Sequence, residues 1–353
     1  MAGYFAQKID DLNSGHVSNR PRFRLGHAQS SSDLAKSLND AIIGQHAAVE
    51  AAVRAVSIAA AGIADSARPL ASMLFVGPTG VGKTQLARIL ASEITGSPDR
   101  LCRIDMNSLS QEHYVGALSG SPPGYSGSKE GFTLFEKDLV EGNASRPGVV
   151  LFDEVEKAHP MVLRSLLQIL DSGILRLASG TSTISFRNSI IILTSNLGTA
   201  ELVSRKQGWK SLLSSSLSSS SRRDRDDTDT LLKAVESFFD PELFNRFDEV
   251  VAFRCLDSND SQSILSLEVE KVQRTVADSG YCLSIGEDVR SFLLRAGFDR
   301  NYGARNLKRA IRRLLLSPVA DEMLASRDSV ADAPRKLVAR VSDGRIIVGR
   351  TGQ

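Results

Sequence analysis

The feature that most constrains this chain is a glycine-rich loop between an apolar run and the start of an amphipathic helix. The loop lies in LFVGPTGVGKTQLA, residues 74–87, and matches G-x-x-x-x-G-K-[ST] at every fixed position. Glycines let backbone N–H groups face phosphate oxygens, and the N-terminus of the following helix adds partial positive charge. The sequence therefore predicts a strand, a phosphate-binding loop and a helix within a parallel α/β sheet. The alternative is a glycine turn that binds nothing, which the flanking strand and helix patterns disfavour.

The side chains of this loop have distinct expected tasks in binding ATP and Mg²⁺. Lys83 is expected to contact the β- and γ-phosphates, and the Thr84 hydroxyl is expected to bind Mg²⁺. The predicted phosphate-binding residues are Gly77, Pro78, Thr79, Gly80, Val81, Gly82, Lys83 and Thr84.

Two acidic residues follow a second apolar run, VVLFD at 149–153. Parallel sheets bind ligands at the carboxyl ends of their strands, so Asp153 and Glu154 are expected beside the phosphate loop. Asp153 would hold Mg²⁺ together with Thr84, and Glu154 would act as general base toward the attacking water. The alternative is a pair of acids that cap the next helix, but the four apolar residues before them favour catalysis.

A third apolar run, SIIILTS at 189–195, is followed by Asn196. Its carboxyl end is expected at the same edge of the sheet, where the Asn196 amide could orient the attacking water beside Glu154. Asparagine after a strand is also a common turn former, and this alternative stays open.

Composition and charge exclude several classes of protein. The net charge of +2 gives no overall field toward nucleic acid or an acidic membrane. No run approaches the roughly 20 apolar residues of a membrane span, and residues 1–30 lack the apolar core of a secretory signal. The cysteines Cys102, Cys255 and Cys282 match no metal-ligand spacing and indicate a reducing compartment. A cytoplasmic location is predicted.

The chain is predicted to divide into three regions. Residues 1–30 form a flexible polar extension, whose basic stretch PRFRLGH at 21–27 could instead dock on a partner. Residues 31–255 form an α/β domain, and residues 256–353 form a smaller helical domain. A low-complexity serine-rich insert at 211–223 interrupts the α/β domain. The last region ends in two alternating runs across Asp343–Gly344, which predict a short β-hairpin.

Longer motifs accompany the phosphate loop in a fixed order. They are RIDMNSLSQEHYVGALSGSPPGYSGSKEG (103–131), VVLFDEVEKAHPMVLRSLLQILDSG (149–173), FRNSIIILTSNLG (186–198), FDPELFNRFDEVVAF (239–253) and GFDRNYGARNLKRAI (297–311). The series resembles the AAA+ ATPases of the Clp/heat-shock unfoldase group, most closely the second ATPase module of ClpB-type disaggregases. The resemblance implies a P-loop AAA+ sheet flanked by helices, followed by a small helical lid domain.

The resemblance also implies roles for particular residues. Asn196 corresponds to the first sensor of the γ-phosphate, and Arg305 in YGARNLK corresponds to the second sensor. Arg246 in LFNRFDE corresponds to the arginine finger that completes the site of a neighbouring subunit. Ile42 and Ile43 correspond to the turn that contacts adenine, although both could belong to the core.

Each arginine also has a plainer interpretation. Arg246 could be a surface residue paired with Asp248 or Glu249, and Arg305 an exposed residue on a basic helix face. A finger supplied by a neighbour can raise turnover roughly 10³–10⁵-fold, so the family role of Arg246 would make hydrolysis depend on assembly.

The loop PPGYSGSKEG at 122–131 bears most directly on the substrate. In the resembling unfoldases this loop lines a central pore, and its aromatic residue grips a translocating polypeptide. An aromatic ring suits this role because it contacts a chain of any sequence; the alternative is Tyr125 packed against its own domain. Ser128 replaces the second aromatic residue of ClpB-type loops, which implies a weaker grip or a more specialised substrate. The implied pore-loop residues are Gly124, Tyr125, Ser126 and Gly127.

Two departures limit what the resemblance implies. The sequence carries one ATPase module, whereas full disaggregases carry two together with N-terminal and middle domains, so disaggregation does not follow from it. No Ile-Gly-Phe or Ile-Gly-Leu tripeptide, which docks a partner peptidase, lies between Asn196 and Arg246. Delivery to a protease is therefore not expected.

The function predicted from these features is an ATP-hydrolysing protein unfoldase or remodeller that forms a hexameric ring and pulls polypeptide through its pore. An adaptor or co-chaperone is a further implied partner, and no membrane partner is expected. One alternative is a nucleic-acid motor or loader, for which Lys129 and residues 205–225 offer local positive charge. The near-neutral net charge and the Tyr125 loop disfavour it. Another is an ATP-dependent assembly switch, which the joint presence of a base, a sensor and a finger disfavours.

Overall fold

The computed structural model describes residues 30–111, 134–143, 145–176, 183–202, 220–298, 303–325 and 335–350. Three sequence predictions fall outside these ranges: the extension at 1–29, the pore loop with Gly124, Tyr125, Ser126 and Gly127, and most of the serine-rich insert. They stay predictions.

Strands and helices alternate through most of the described chain. The helices are α1 Ser31–Ala41, α2 His46–Ala61, α3 Lys83–Thr95, α4 Lys137–Glu141, α5 Pro160–Ser172, α6 Ser220–Phe238, α7 Pro241–Phe244, α8 Ser258–Asp278, α9 Glu287–Gly297, α10 Ala304–Ile311 and α11 Ser317–Ala325. The strands are β1 Ala71–Val76, β2 Cys102–Asp105, β3 Gly148–Asp153, β4 Ile174–Arg176, β5 Thr183–Ser185, β6 Ser189–Ser195, β7 Glu249–Ala252, β8 Tyr281–Ile285, β9 Arg335–Ser342 and β10 Arg345–Arg350. Within the described ranges, no helix combines the length and the apolar character that a membrane crossing requires.

A five-stranded sheet with the order β2-β3-β6-β1-β7 forms the centre of the larger region, and every pairing in it is parallel. Alternate residues of a strand face opposite sides, so Met73 and Phe75 pack into one core cluster and Leu74 and Val76 into another. Burial on both faces explains why β1, β3 and β6 are continuous apolar runs. The prediction of a parallel α/β sheet flanked by helices is confirmed.

The strand order determines where the polar strand ends meet. β6 lies between β1 and β3, with Val76 opposite Ser195 and Phe152 opposite Leu193. The phosphate loop after β1 and the polar residues after β3 and β6 therefore lie side by side at one edge of the sheet.

The C-terminal region has a core of its own, in which α8, α9 and α10 pack against a three-stranded sheet. β9 and β10 form the hairpin predicted across Asp343–Gly344. β8 joins β9 in parallel and is not predicted by the sequence. In β8, Tyr281 and Leu283 are buried and alternate with exposed residues. This alternation covers only a few residues, which is too short to be recognised as a strand between two helical patterns. The domain limits at 255 and 256 stay a prediction.

Candidate nucleotide site

A cavity of about 610 Å³ opens at the edge of the sheet where β1, β3 and β6 end. Its volume is within the range of about 300–1,000 Å³ that is usual for small-molecule sites. Gly77 and Pro78 contribute backbone carbonyls beside it. The predicted residues that line it are Ile42, Ile43, Thr79, Gly80, Val81, Gly82, Lys83, Thr84, Asp153, Glu154, Asn196 and Arg305.

Lys83 begins α3, is buried, and has an acceptor for each of its three ammonium protons. Its Nζ donates to the carbonyls of Gly77 at 2.5 Å and Pro78 at 2.8 Å, and to Asn196 Oδ1 at 2.9 Å. For Lys83 to contact a phosphate as predicted, a phosphate oxygen must replace one of these acceptors.

ATP binding is expected to weaken as the pH rises through about 8. Burial lowers the pKa of Lys83 from 10.5 to about 8, and nearby carboxylates, Glu156 foremost, oppose that shift. Lys83 attracts phosphates only while it is protonated, so the affinity is present below this pH and falls above it. Titration with a fluorescent ATP analogue between about pH 6.5 and about pH 9.5 brackets the shifted pKa. A constant affinity across this range would contradict the lowered pKa.

Thr84 and Asp153 form the part of the site that suits Mg²⁺. The Thr84 hydroxyl donates to Asp153 Oδ1 at 3.1 Å. An octahedron with Mg–O distances of about 2.05 Å has an edge of roughly 2.9 Å, so these oxygens fit adjacent positions around one ion. The described residues contain no group of three or more His, Cys, Asp or Glu side chains that could hold a metal. Mg²⁺ does not need such a group, because it takes one or two carboxylates together with waters and phosphates.

Two side chains that sequence reasoning missed hold Asp153. Thr194 donates from Oγ1 to Asp153 Oδ1 at 2.5 Å, and Arg103 donates to Oδ2 from Nη2 at 2.7 Å and from Nε at 3.1 Å. Both come from the strands that flank β3. In the sequence, each of them is only a polar residue near a predicted strand. The strand order is what places both of them beside Asp153.

Glu154 has a left-handed backbone, with φ of 59° and ψ of 53°, which is uncommon for a residue other than glycine. Successive side chains of a strand point to opposite faces, but this turn after β3 lets both Asp153 and Glu154 line the cavity. The Glu154 N–H donates to Thr194 Oγ1 at 3.0 Å. Such a conformation costs about 1–3 kcal/mol and is concentrated at functional sites.

Asn196 follows β6 and lies against the phosphate loop. Its Oδ1 accepts from Lys83 Nζ and, at 3.3 Å, from Thr79 Oγ1. Its Nδ2 and its backbone N–H donate to Glu156 Oε1 at 3.0 and 3.2 Å. Sequence reasoning gave Glu156 no role, although it lies only two residues after Glu154.

Arg305 reaches the cavity from the C-terminal region, near the start of α10. The Ala304 N–H donates to the Gly80 carbonyl at 3.0 Å, which joins α10 directly to the phosphate loop. Gly303 has a φ of +53°, and a Cβ there would lie 2.7 Å from the Gly80 carbonyl oxygen. Arg305 is exposed, as the plainer interpretation expects, and it also lines the cavity. Its contact with the phosphates stays a prediction.

Ile42 and Ile43 line the cavity from the segment between α1 and α2. Ile42 is 3% exposed and belongs to the core, whereas Ile43 is half-buried. Gln45 holds this segment, because its Nε2 donates to the carbonyls of Val81 at 3.4 Å and Arg254 at 3.0 Å, and its Oε1 accepts from the Arg254 N–H at 3.1 Å. The segment thus contacts both the phosphate loop and the chain that leads to the C-terminal region. Adenine contact stays a prediction.

Replacing Gly44 with alanine is expected to destabilise the fold and to weaken ATP binding. Gly44 has a φ of +75°, and a Cβ would lie 2.4 Å from Asp260 Oδ1 and 2.9 Å from Arg254 Nη2. These two side chains form an ion pair at 2.8 Å, which would have to separate.

Gly280→Ala is the matched control, because Gly280 has a φ of +82° but nothing lies within 4 Å of a Cβ there. The strained φ alone should cost roughly 1–2 kcal/mol of unfolding free energy. The collision at Gly44 should add about 1–3 kcal/mol. Thermal unfolding of both variants measures the difference, and equal losses would contradict the role of the collision.

Arg246 lies on the turn after α7 and is outside the lining of the cavity in the described structure. Its guanidinium pairs with Asp171 of α5 at 2.7 Å, and the two side chains are 36% and 50% exposed. The alternative of a pair with Asp248 or Glu249 is wrong, because both carboxylates pair with other arginines.

Two family models match the chain. The model described as "AAA domain (Cdc48 subfamily)" matches residues 68–250, which include the phosphate loop and most of the five-stranded sheet. The model described as "C-terminal, D2-small domain, of ClpB protein" matches residues 256–333.

Similar proteins extend over most of the chain. An "ATP-dependent protease ATP-binding subunit-like protein" from Rhodococcus erythropolis is 50% identical over 315 residues, which cover 89% of each chain. A protein of the same description from Pseudomonas aeruginosa, called AmiB, is 41% identical over 314 residues, 89% of this chain and 85% of the relative. A structure of Hsp104 in a closed state with ATPγS and FITC casein matches with a TM-score of 0.74 at 30% identity. That match covers 91% of this chain and 51% of the Hsp104 chain.

Proposed function

Because this chain belongs to the Clp/ClpB group of AAA+ ATPases, we propose that it couples ATP hydrolysis to the unfolding or remodelling of polypeptides, which it pulls through the pore of a hexameric ring. The observation that carries the proposal is the convergence of the phosphate loop, the two strand-end acids and Arg305 on one cavity, in a fold similar to that of Hsp104. The chain spans about half of the Hsp104 chain.

The phosphate loop would bind ATP through its backbone N–H groups and through Lys83. Thr84 Oγ1 and Asp153 Oδ1 would hold Mg²⁺, which supplies positive charge beside the β- and γ-phosphates. Arg103 and Thr194 orient the Asp153 carboxylate, because they donate to its two different oxygens.

Glu154 is the proposed general base, which would take a proton from the water that attacks the γ-phosphate. Its left-handed turn directs the side chain into the same cavity as Asp153 and Lys83. A positioned base contributes about 10²–10⁴-fold to a rate. Asn196, across the same strand edge, is the proposed partner that fixes the water or reads the γ-phosphate.

Assembly into a ring would make hydrolysis depend on a neighbour. Arg246 lies outside its own cavity and is about one-third exposed, as a finger for the adjacent subunit must be. Arg305 would contact the phosphates within its own chain. The nucleotide would then bridge the larger region and α10, which already touches the phosphate loop through Ala304.

Stimulation of ATP turnover by an unfolded polypeptide tests the proposal. Casein is expected to raise the turnover severalfold and DNA to leave it unchanged. Tyr125→Ala is expected to lose the stimulation. Tyr125→Phe keeps an aromatic side chain and is expected to retain the stimulation. Stimulation by DNA alone would favour the nucleic-acid motor and overturn the proposal. The Hsp104 structure, determined with casein, supports casein as the probe.

Delivery of unfolded chains to a peptidase is a second candidate, which the names of the Rhodococcus and Pseudomonas relatives favour. The lack of a docking tripeptide between Asn196 and Arg246 argues against it. Degradation of casein after a purified Clp-type peptidase is added would establish this function.

A cytoplasmic location and a dedicated adaptor or co-chaperone are further parts of the leading proposal, the protein unfoldase or remodeller.

A further inference from the structure

Glu156 points its carboxylate into the protein and takes no part in the proposed catalytic steps. It lies in the 3₁₀ turn Val155–Lys157, directly after Glu154. Its Oε1 accepts two hydrogen bonds from Asn196, from the backbone N–H at 3.2 Å and from Nδ2 at 3.0 Å. Its Oε2 is buried and has no hydrogen-bond partner among the described residues. A buried carboxylate oxygen without a partner costs free energy, so its retention calls for an explanation.

The contacts of Asn196 determine which way its amide faces. An amide side chain has one end that donates and one end that accepts, whereas an ammonium only donates and a carboxylate only accepts. The end that faces Lys83 must therefore be the oxygen, and the end that faces Glu156 must be the nitrogen. Two independent neighbours thus require the same orientation of the amide.

We propose that Glu156 is a positioning residue that holds the Asn196 amide with its oxygen toward the ATP cavity. The inference rests on the proposed ATPase site. An ionised γ-phosphate oxygen only accepts hydrogen bonds, so it cannot pair with Asn196 Oδ1, whereas a water molecule can donate to it. In this arrangement Asn196 orients the attacking water, and contact between Nδ2 and the γ-phosphate would require the bond to Glu156 to break.

The state of Lys83 explains how Asn196 Oδ1 becomes available. All three protons of Lys83 have acceptors, and two of those acceptors are carbonyls of the phosphate loop itself. When a phosphate takes the place of Asn196 at Lys83, Oδ1 keeps only its contact with Thr79 Oγ1 at 3.3 Å and can accept from a water molecule, while Glu156 still holds Nδ2. The amide therefore stays in place and presents its oxygen to the cavity.

The first test compares Glu156→Ala with wild-type protein and with Glu236→Gln, a control on the exposed face of α6. A misplaced catalytic group can cost about 10²-fold, so kcat is expected to fall by about that factor. ATP affinity near pH 7 is expected to change less than about threefold, since Glu156 does not touch the nucleotide site directly. Equal loss of affinity and kcat, in step with a lower melting temperature, would show a structural role and overturn the proposal.

The second test reverses the donor and the acceptor. Asn196→Asp places a carboxylate against that of Glu156 and is expected to lose turnover. Adding Glu156→Gln lets the new amide donate to the aspartate, whose other oxygen still faces the cavity. The double variant is expected to turn over ATP at least about tenfold faster than Asn196→Asp alone, a coupling within the usual range for contacting residues. A double variant no faster than the single one would overturn the proposal, because it would show that Asn196 works through its N–H.

A comparison of turnover separates this inference from the proposed function. If the wild-type protein shows no ATP turnover, the proposed function fails. If wild type turns over ATP and Glu156→Ala turns it over at the same rate, only this inference fails.

Discussion

Replacing Glu154 with glutamine is expected to abolish ATP turnover while ATP still binds. Glutamine keeps the size of the side chain and the hydrogen bond from its backbone N–H to Thr194, but it cannot take a proton from water. Loss of a general base should lower kcat by about 10²–10⁴-fold. Because Lys83, Thr84 and Asp153 keep their own contacts, the affinity for ATP should stay within a small factor of wild type.

The measurement pairs phosphate release with binding of a fluorescent ATP analogue. Lys83→Ala provides the contrast, because it removes the ammonium group that lines the cavity at the phosphate loop and should lose binding as well as turnover. Glu154→Gln protein that hydrolyses ATP at a rate near that of wild type would remove Glu154 from the mechanism. Loss of binding in both variants would instead show that Glu154 supports the site rather than the chemistry.

The sequence predicts those residues of the site that a local pattern identifies. Lys83 follows a strand and a glycine loop, and Asp153 and Asn196 each follow an apolar run, so a parallel sheet brings them to one edge whatever the strand order. The parallel sheet itself is predictable for the same reason, since its strands are buried on both faces and read as continuous apolar runs.

The residues that the sequence does not predict depend on which elements are neighbours. Arg103 contacts Asp153 only because β2 pairs with β3, and Asp171 meets Arg246 only because α5 packs beside α7. Glu156 would be an ordinary acid in a helix start if the 3₁₀ turn after Glu154 did not direct it toward Asn196. Strand order and turn geometry of this kind are set by packing across the whole domain, and no window of sequence contains them.

Replacing Arg246 with alanine is also expected to reduce ATP turnover by several orders of magnitude. An arginine finger is worth about 10³–10⁵-fold in turnover, because it offsets the charge that develops on the transferred phosphoryl group. The affinity of an isolated subunit for ATP should be unchanged, because Arg246 does not line the nucleotide cavity of its own chain in the described structure. Phosphate release, measured at protein concentrations at which the ring forms, gives the effect.

Asp171→Asn is the matched control for this variant. It breaks the ion pair between Asp171 and Arg246 but leaves the guanidinium in place. The two side chains are 36% and 50% exposed, so solvent screens the pair and it should contribute only about 0–1 kcal/mol to stability. If Asp171→Asn lowered turnover as much as Arg246→Ala, the arginine would matter for the fold of its own subunit and not for catalysis.

Mixing the two inactive variants distinguishes a finger that acts on the neighbour from one that acts within its own chain. An Arg246→Ala subunit keeps Glu154, and an adjacent Glu154→Gln subunit can supply the missing finger. In a ring whose interfaces are head-to-tail, random mixing in equal amounts completes about one quarter of the sites, so turnover should recover toward that fraction of wild type. Within a single chain neither variant holds both groups, so a finger acting on its own site would give no recovery at any ratio. Recovery therefore requires a site shared between subunits, which is the arrangement that makes hydrolysis conditional on the ring.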